Sequence, residues 1–192
     1  MNLYLSETPS IDYHHPEIQK KVSELRESAA DTLDYLKQCY YFVRDEIPHS
    51  WDIQASVITK TASEALIHRT GICWTKSCLL AALLRANGIP SGISYQLLLL
   101  NPERTDDGYM VHALNTVYLQ DTDRWIRLDA RGNGDNVHAE FSLEKDQLAF
   151  SVRPEAGEHD FKENHADLDE RLVKLLANSN SLMDLRTDFT DL

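Results

Sequence analysis

The sequence lacks several features that define whole classes of protein. It carries three cysteines among 192 residues, and their positions fit neither a disulfide framework nor a CxxC pair. No apolar run approaches the roughly 18 residues that a membrane-spanning helix needs. The first residues, MNLYLSETPSIDYHHPE, contain no basic start, no apolar segment and no small-residue cleavage site. We therefore expect reduced thiols, a cytoplasmic location and no membrane partner.

Positive charge is also scarce. The chain has 19 Lys+Arg against 31 Asp+Glu, a formal net charge of −12 at pH 7. A field of that sign repels phosphate backbones, so we expect no nucleic-acid partner. Ala139–Leu192 holds thirteen of the acids and six of the bases, and it forms an acidic C-terminal extension. Hydrophobic residues at 42% are typical of a folded globular chain, and we expect a single domain over 1–192.

Metal and cofactor signatures are missing as well. The eight histidines form no HExxH pair, and Cys73 and Cys78 do not have the spacing of a zinc knuckle. We therefore predict no metal and no cofactor. The sequence does not indicate an oligomeric state.

The pattern of apolar residues predicts helices first and an antiparallel meander after them, which is an α+β order. The predicted helices are Pro16–Ser28, Asp31–Ile47, Cys73–Ala86 and Leu168–Ala177, and the predicted strands are Gly92–Leu100, Val111–Leu119 and Arg124–Ala130. Asn101–Gly108 is predicted as a polar loop, and Phe141–Val152 as a further strand or short helix.

Cys73 is the most informative residue. It begins the apolar helix CWTKSCLLAALLRA, where backbone N–H groups have no intrahelical partner and the helix dipole is positive. Both features favour a thiolate, so Cys73 is a candidate nucleophile. Cys78 lies more than one turn deeper in the helix and is predicted to be a core residue.

His112 and Asp129 are the candidate base and the residue that orients it. They lie on consecutive predicted strands joined by a tight turn. If residue 120 pairs with 123, His112 faces Arg131 and Asp129 is its diagonal neighbour on the same face, roughly 7–8 Å away. A register shifted by one residue would send the two side chains to opposite faces.

Three segments together resemble the transglutaminase-like superfamily. They are GICWTKSCLLAALLRANGIPSGI around Cys73, VHALNTVYL around His112 and WIRLDARGN around Asp129, and they cover residues 71–133. The resemblance implies a papain-like, transglutaminase-core fold, with N-terminal helices and a buried nucleophile helix packed on an antiparallel sheet. It also implies acyl transfer through a thioester, in which Cys73 attacks, His112 moves the proton and Asp129 holds the imidazole.

The resemblance also suggests residues around this triad. The backbone N–H of Cys73 is an expected donor to the oxyanion, and an upstream side chain should supply a second donor. Trp51 is our candidate, with Gln54 behind it, although Trp51 could equally be a half-buried core aromatic. The substrate-cleft candidates are Trp74, Arg131 and Asn133, of which the last two could instead shape a turn.

Four functions remain open. We favour hydrolysis of a peptide or protein amide over protein-glutamine transamidation. A non-catalytic binding module that kept the fold is a third possibility, and the intact Cys73, His112 and Asp129 count against it. An acyltransferase using a coenzyme A thioester is a fourth, and the negative charge disfavours it.

Overall fold

A computed structural model describes residues 2–134 and 137–185. In this part of the chain, five α-helices accompany a four-stranded antiparallel sheet. The helices are α1 (Pro16–Ser28), α2 (Thr32–Glu46), α3 (Ala62–His68), α4 (Cys73–Ala86) and α5 (Glu170–Asn178), and the strands are β1 (Ser91–Asn101), β2 (Arg104–Leu119), β3 (Arg124–Leu128) and β4 (His159–His165). The predicted α+β class is confirmed. Within the described residues, none of the helices has the length and apolar character that would let it cross a bilayer.

Helix α4 occupies the centre of the fold. It contacts α1, α2 and α3 as well as strands β1 and β2, and it is buried from Trp74 to Arg85. Its C-terminus follows from the local sequence, since Gly88 adopts a left-handed φ of 76° immediately after Asn87. The bounds of α1 and α4 agree with the prediction at both ends.

The sheet has the order β3-β2-β1-β4. Strands β2 and β3 pair from Leu119 opposite Arg124 to Asn115 opposite Leu128, which is the register that keeps His112 and Asp129 on one face. The connection is a short 3-10 helix, Gln120–Thr122, followed by a left-handed residue. With this turn, His112 and Asp129 share a face of the sheet, as they would with a two-residue loop.

Several predicted elements were wrong or missing. Five residues of the predicted loop Asn101–Gly108 belong to the start of β2, where the strand is exposed and polar residues pair without packing on a core. Phe141–Val152 forms neither a regular strand nor a helix. Helix α3 and strand β4 were not predicted, because α3 has only seven residues and β4 (HDFKENH) is a polar strand at the sheet edge.

Candidate active site

Cys73, in the first turn of α4, lines a cavity of about 370 Å³. His112 lines the same cavity. Much of the remaining wall is apolar and comes from Trp51, Ile72, Leu100, Met110, Phe150 and Leu185. Cys39 and Cys78 are fully buried, and burial raises the pKa of Cys39 to about 12 and that of Cys78 well above its ordinary value. Of the three thiols, Cys73 is the partly exposed one, and it faces the cavity.

His112 and Asp129 form a buried pair beside Cys73. Nε2 of His112 lies 2.8 Å from Oδ2 of Asp129, and the side chains are 2% and 1% exposed. Burial alone would lower the pKa of His112, but the charge and hydrogen bond of Asp129, with a smaller contribution from Cys73, outweigh burial and raise it. Burial likewise favours a protonated Asp129, and His112 reverses this effect and lowers the carboxyl pKa. Both shifts favour the imidazolium–carboxylate form of the pair.

Neighbouring groups fix the two side chains in place. Asp129 accepts hydrogen bonds from the backbone N–H of Arg131 at 3.1 Å and from that of Ala149 at 2.9 Å. The ring of Phe150 meets the imidazole of His112 edge to face, with centroids 5.0 Å apart. Since Nε2 of His112 is engaged by Asp129, Nδ1 is the nitrogen available for exchange with Cys73. The three side chains singled out in the sequence thus lie together, in the order thiol, imidazole, carboxylate.

His49 is a site residue that the sequence analysis missed. Its Nε2 accepts a hydrogen bond from the backbone N–H of Cys73 at 3.1 Å, so the N–H expected to serve an oxyanion already has a partner. A parallel bridge between His49 and Gly71 brings the two segments together. Gly71 is required there because a Cβ atom would lie 2.7 Å from Oγ1 of Thr75. A long-range bridge of this kind leaves no periodic signal in the sequence.

The two oxyanion candidates occupy different environments. Trp51 is half-buried and lines the cavity. Gln54 is exposed, adopts a left-handed φ of 49°, and is not among the described residues that line the cavity. The structure thus keeps Trp51 near Cys73, but it does not support Gln54 as an oxyanion donor.

The three substrate-cleft candidates also lie in different places. Trp74 lines the cavity and donates from Nε1 to the carbonyl oxygen of Val111 at 2.9 Å. Arg131 lines it too, held by a bidentate pair with Asp52 at 2.6 and 2.8 Å. Asn133 lies outside the described lining, and its side-chain oxygen accepts from the backbone N–H of Ala139, so its role is to shape the turn.

Lys76 lies one turn deeper in α4 and is 1% exposed. Its Nζ donates to the carbonyl oxygen of Val43 at 2.7 Å and also contacts those of Arg44 and Ile47, at the C-terminus of α2. Burial lowers the pKa of Lys76 to about 7. This contact ties α4 to the end of α2, immediately before the segment that carries His49.

Among the described residues, no cluster of three or more His, Cys, Asp or Glu side chains has an arrangement that could hold a metal ion.

Known proteins resemble this chain both in sequence and in structure. A sequence model of the transglutaminase-like superfamily matches residues 19–130, which include the three clustered side chains. A candidate cysteine protease from Cytophaga hutchinsonii is similar in structure, with a TM-score of 0.53 and 21% identity over 67% of this chain. The periplasmic domain of TgpA from Pseudomonas aeruginosa gives a TM-score of 0.47 and 20% identity over 66% of this chain.

This chain matches only part of each of these two proteins. The chain spans 40% of the length of the Cytophaga protein and 45% of the TgpA domain. At 21% identity, the similarity to the Cytophaga protein concerns the fold alone. No curated protein matches the chain in sequence.

Proposed function

Because the chain belongs to the transglutaminase-like superfamily, and because Cys73 faces a cavity beside the His112–Asp129 pair, we propose that it is a cysteine-dependent acyl-transfer enzyme that hydrolyses amide bonds. The observation that carries the proposal is the partly exposed thiol of Cys73 next to the buried His112–Asp129 pair. This is the arrangement of a nucleophile, its base and the group that orients the base.

Each of the three residues has one role. The thiolate of Cys73 attacks the carbonyl carbon, a C–S bond forms, and the carbonyl electrons move to oxygen. The C–N bond then breaks while His112 delivers a proton to the leaving amine, which leaves a thioester on Cys73. Water, deprotonated by His112, resolves the thioester to a carboxylic acid and free thiol. Asp129 keeps the imidazole in one orientation and stabilises its charged form.

The cavity wall supports a peptide or protein amide as the substrate. Leu100, Met110 and Phe150 offer apolar contacts around the thiol. Such a surface binds the apolar side chain of an acyl donor by removing it from water. We therefore propose an acyl group with an apolar side chain next to the scissile bond.

Selective alkylation tests the nucleophile. Native protein is treated with iodoacetamide near pH 6, where an ordinary thiol is mostly protonated, and adducts are mapped by mass spectrometry. We expect rapid labelling at Cys73, slowed at least tenfold in His112→Ala, with the buried Cys39 and Cys78 as internal controls. Equal rates at Cys73 in the wild type and in His112→Ala would contradict the proposal.

A library of peptide amides and p-nitrophenyl esters tests the reaction. We expect product release by the wild type and only background release by Cys73→Ala. Adding a primary amine distinguishes the two fates of the thioester, since hydrolysis yields the acid and transamidation yields the new amide. Amide product as the main outcome would replace hydrolysis with transamidation.

A further inference from the structure

Arg131 places a positive charge in the wall of the cavity that Cys73 faces. Its side chain is 13% exposed, and its backbone N–H donates to Oδ1 of Asp129 at 3.1 Å, so the residue is held directly beside the buried pair. The chain as a whole has a formal net charge of −12. In so acidic a protein, a cationic side chain in the cavity wall is a local feature that the overall charge does not explain.

The guanidinium of Arg131 has hydrogen bonds left to give. Nη1 and Nη2 each donate one N–H to the carboxylate of Asp52, at 2.6 and 2.8 Å, and this pair occupies the end of the planar group. Asp52 is not among the described residues that line the cavity. Among the described residues, Nε has no hydrogen-bond partner, and it is not one of the fully buried atoms that lack one. The Nε–H and the second N–H of Nη2 can therefore bind another carboxylate through two parallel hydrogen bonds.

The charge of Arg131 acts on the groups around it in spite of its pairing with Asp52. Burial lowers the pKa of His49, which lines the same cavity, and the neighbouring cations, Arg131 first among them, lower it further. Burial also lowers the pKa of Lys76 to about 7, and there the effect of Arg131 is larger than that of Asp52. A positive potential of this kind attracts an anionic group that enters the cavity.

The position of Arg131 relates it to the leaving group of the reaction. In the proposed mechanism, His112 delivers a proton to the departing amine, so that amine lies on the His112 side of Cys73. Arg131 is bonded to the same carboxylate that holds His112. The apolar wall formed by Leu100 and Met110 belongs to β1 and β2, and it is the part of the cavity proposed for the acyl group.

We propose that Arg131 binds a carboxylate on the leaving group, so that the preferred substrate has an apolar acyl group on one side of the scissile amide and an anionic amine component on the other. This inference rests on the proposed function. The carboxylate accepts two hydrogen bonds from the Nε side of the guanidinium, while Asp52 holds the other end in place. The carboxylate comes from one of two sources, the C-terminus of a departing amino acid or an acidic side chain.

Matched peptides test this preference. Benzyloxycarbonyl-Phe-Ala with a free carboxylate is compared with its C-terminal amide, and kcat/KM for cleavage between Phe and Ala is measured by chromatography. We expect the wild type to prefer the free acid by about tenfold to a hundredfold, and the ratio to fall to about one in Arg131→Gln, because the charge-assisted pair is lost. Arg131→Lys, which keeps the charge without the planar fork, should keep part of the preference and serves if Arg131→Gln does not fold.

A second pair of peptides distinguishes the two sources of the carboxylate. Benzyloxycarbonyl-Phe-Asp amide has only a side-chain carboxylate, and benzyloxycarbonyl-Phe-Asn amide is its neutral match. A preference for the first pair's free acid that depends on Arg131 supports the C-terminal carboxylate. A preference that depends on Arg131 and appears only in the Asp peptide supports the acidic side chain.

Binding gives a readout that needs no turnover. Calorimetric titration of Cys73→Ala with the free acid and with the amide should show the same preference for the acid, lost when Arg131→Gln is added. Arg171→Gln, which removes an arginine of α5 paired with Asp169, is the control and should leave the preference at the wild-type value. An equal loss for acid and amide in Arg131→Gln, with their ratio unchanged, would mean that Arg131 only supports the fold, and this would overturn the inference.

The inference and the proposed function fail on different results. If p-nitrophenyl acetate acylates Cys73 but no carboxylate is preferred in cleavage or in binding, the inference is wrong and the proposed function stands. If the free acid binds preferentially through Arg131 but Cys73 forms no thioester, the proposed function is wrong and Arg131 remains a carboxylate-binding residue.

Discussion

The first turn and the interior of α4 use the same residue type for opposite purposes. Cys73 lies in the first turn, half-exposed to a cavity, while Cys78 lies five positions further along the same helix and is fully buried. Burial raises the pKa of Cys78 and keeps its thiol neutral. Position along the helix, not residue type, therefore separates a candidate nucleophile from a packing residue.

The start of α4 differs from those of α2 and α3 in the hydrogen-bond partner of its first backbone N–H groups. The N-cap residue, Ile72, offers no side-chain hydrogen bond, unlike Asp31 at α2 and Thr61 at α3, whose side chains accept from a backbone N–H. The first N–H of α4 is instead taken by a histidine from another segment. An end capped this way can exchange its partner for a substrate oxygen, which an end capped by its own side chain cannot do as easily.

Asp129→Asn tests the site at the first turn of α4 and should have the largest effect of the substitutions considered, a loss of acyl-transfer rate. The substitution keeps the shape of the side chain but removes the charge that stabilises the imidazolium of His112, so we expect acyl transfer to fall by about 10³–10⁴. Stopped-flow acylation by p-nitrophenyl acetate measures the change. Asp146→Asn, at an exposed carboxylate paired with Arg127, is the control and should retain the wild-type rate. A loss below tenfold in Asp129→Asn would remove Asp129 from the mechanism.

Lys76→Met tests the part of α4 between Cys73 and Cys78. The substitution leaves the carbonyl oxygens of Val43, Arg44 and Ile47 without their donor, so we expect stability to fall by about 2–4 kcal/mol. Urea unfolding followed by circular dichroism measures the loss. Lys174→Met, on the exposed face of α5, is the matched control and should change stability by less than about 0.5 kcal/mol. A small change in Lys76→Met would show that α2 is held by packing alone.

The pH dependence of stability, compared between the wild type and Lys76→Met, tests the direction of the Lys76 pKa shift. Burial lowers the pKa of Lys76 to about 7, whereas an unfolded lysine titrates at about 10.4. Between these values the unfolded chain binds the extra proton, so the wild type should gain stability as pH rises from 7 toward 10. The stability difference between wild type and Lys76→Met should therefore be larger at pH 9 than at pH 6.5. A constant difference would contradict the lowered pKa.

The comparison also shows what the sequence could predict. Both bounds of α4 were predicted correctly, and its C-terminal end follows from the local Asn87-Gly88 pair, because such a stop signal acts within a few residues. The sequence left two registers of β2 and β3 open, and the structure has the one in which His112 and Asp129 share a face. These are properties of one helix and one hairpin.

Long-range contacts were beyond such reasoning. His49 reaches Cys73 through a bridge to Gly71, and Lys76 meets the end of α2 more than thirty positions upstream. Strand β4 joins the sheet beside β1 with a polar sequence that carries no apolar alternation. In each case the partner is set by tertiary packing, and no local pattern reports it.

Cys78→Ala should have the smallest effect and tests whether the interior of α4 is inert. Removing one sulfur atom from a fully buried site costs the contacts of that atom and leaves a small cavity, so we expect a loss of about 1 kcal/mol in stability. The acylation rate at Cys73 should remain within twofold of the wild type, because no polar contact links the two thiols. Cys78→Ser, which buries a hydroxyl in the same apolar site, should be less stable than Cys78→Ala and equally active. A tenfold loss of acylation in Cys78→Ala, with the fold intact, would show that packing in the interior of α4 sets the geometry of its first turn, and the roles of the two cysteines would then no longer be independent.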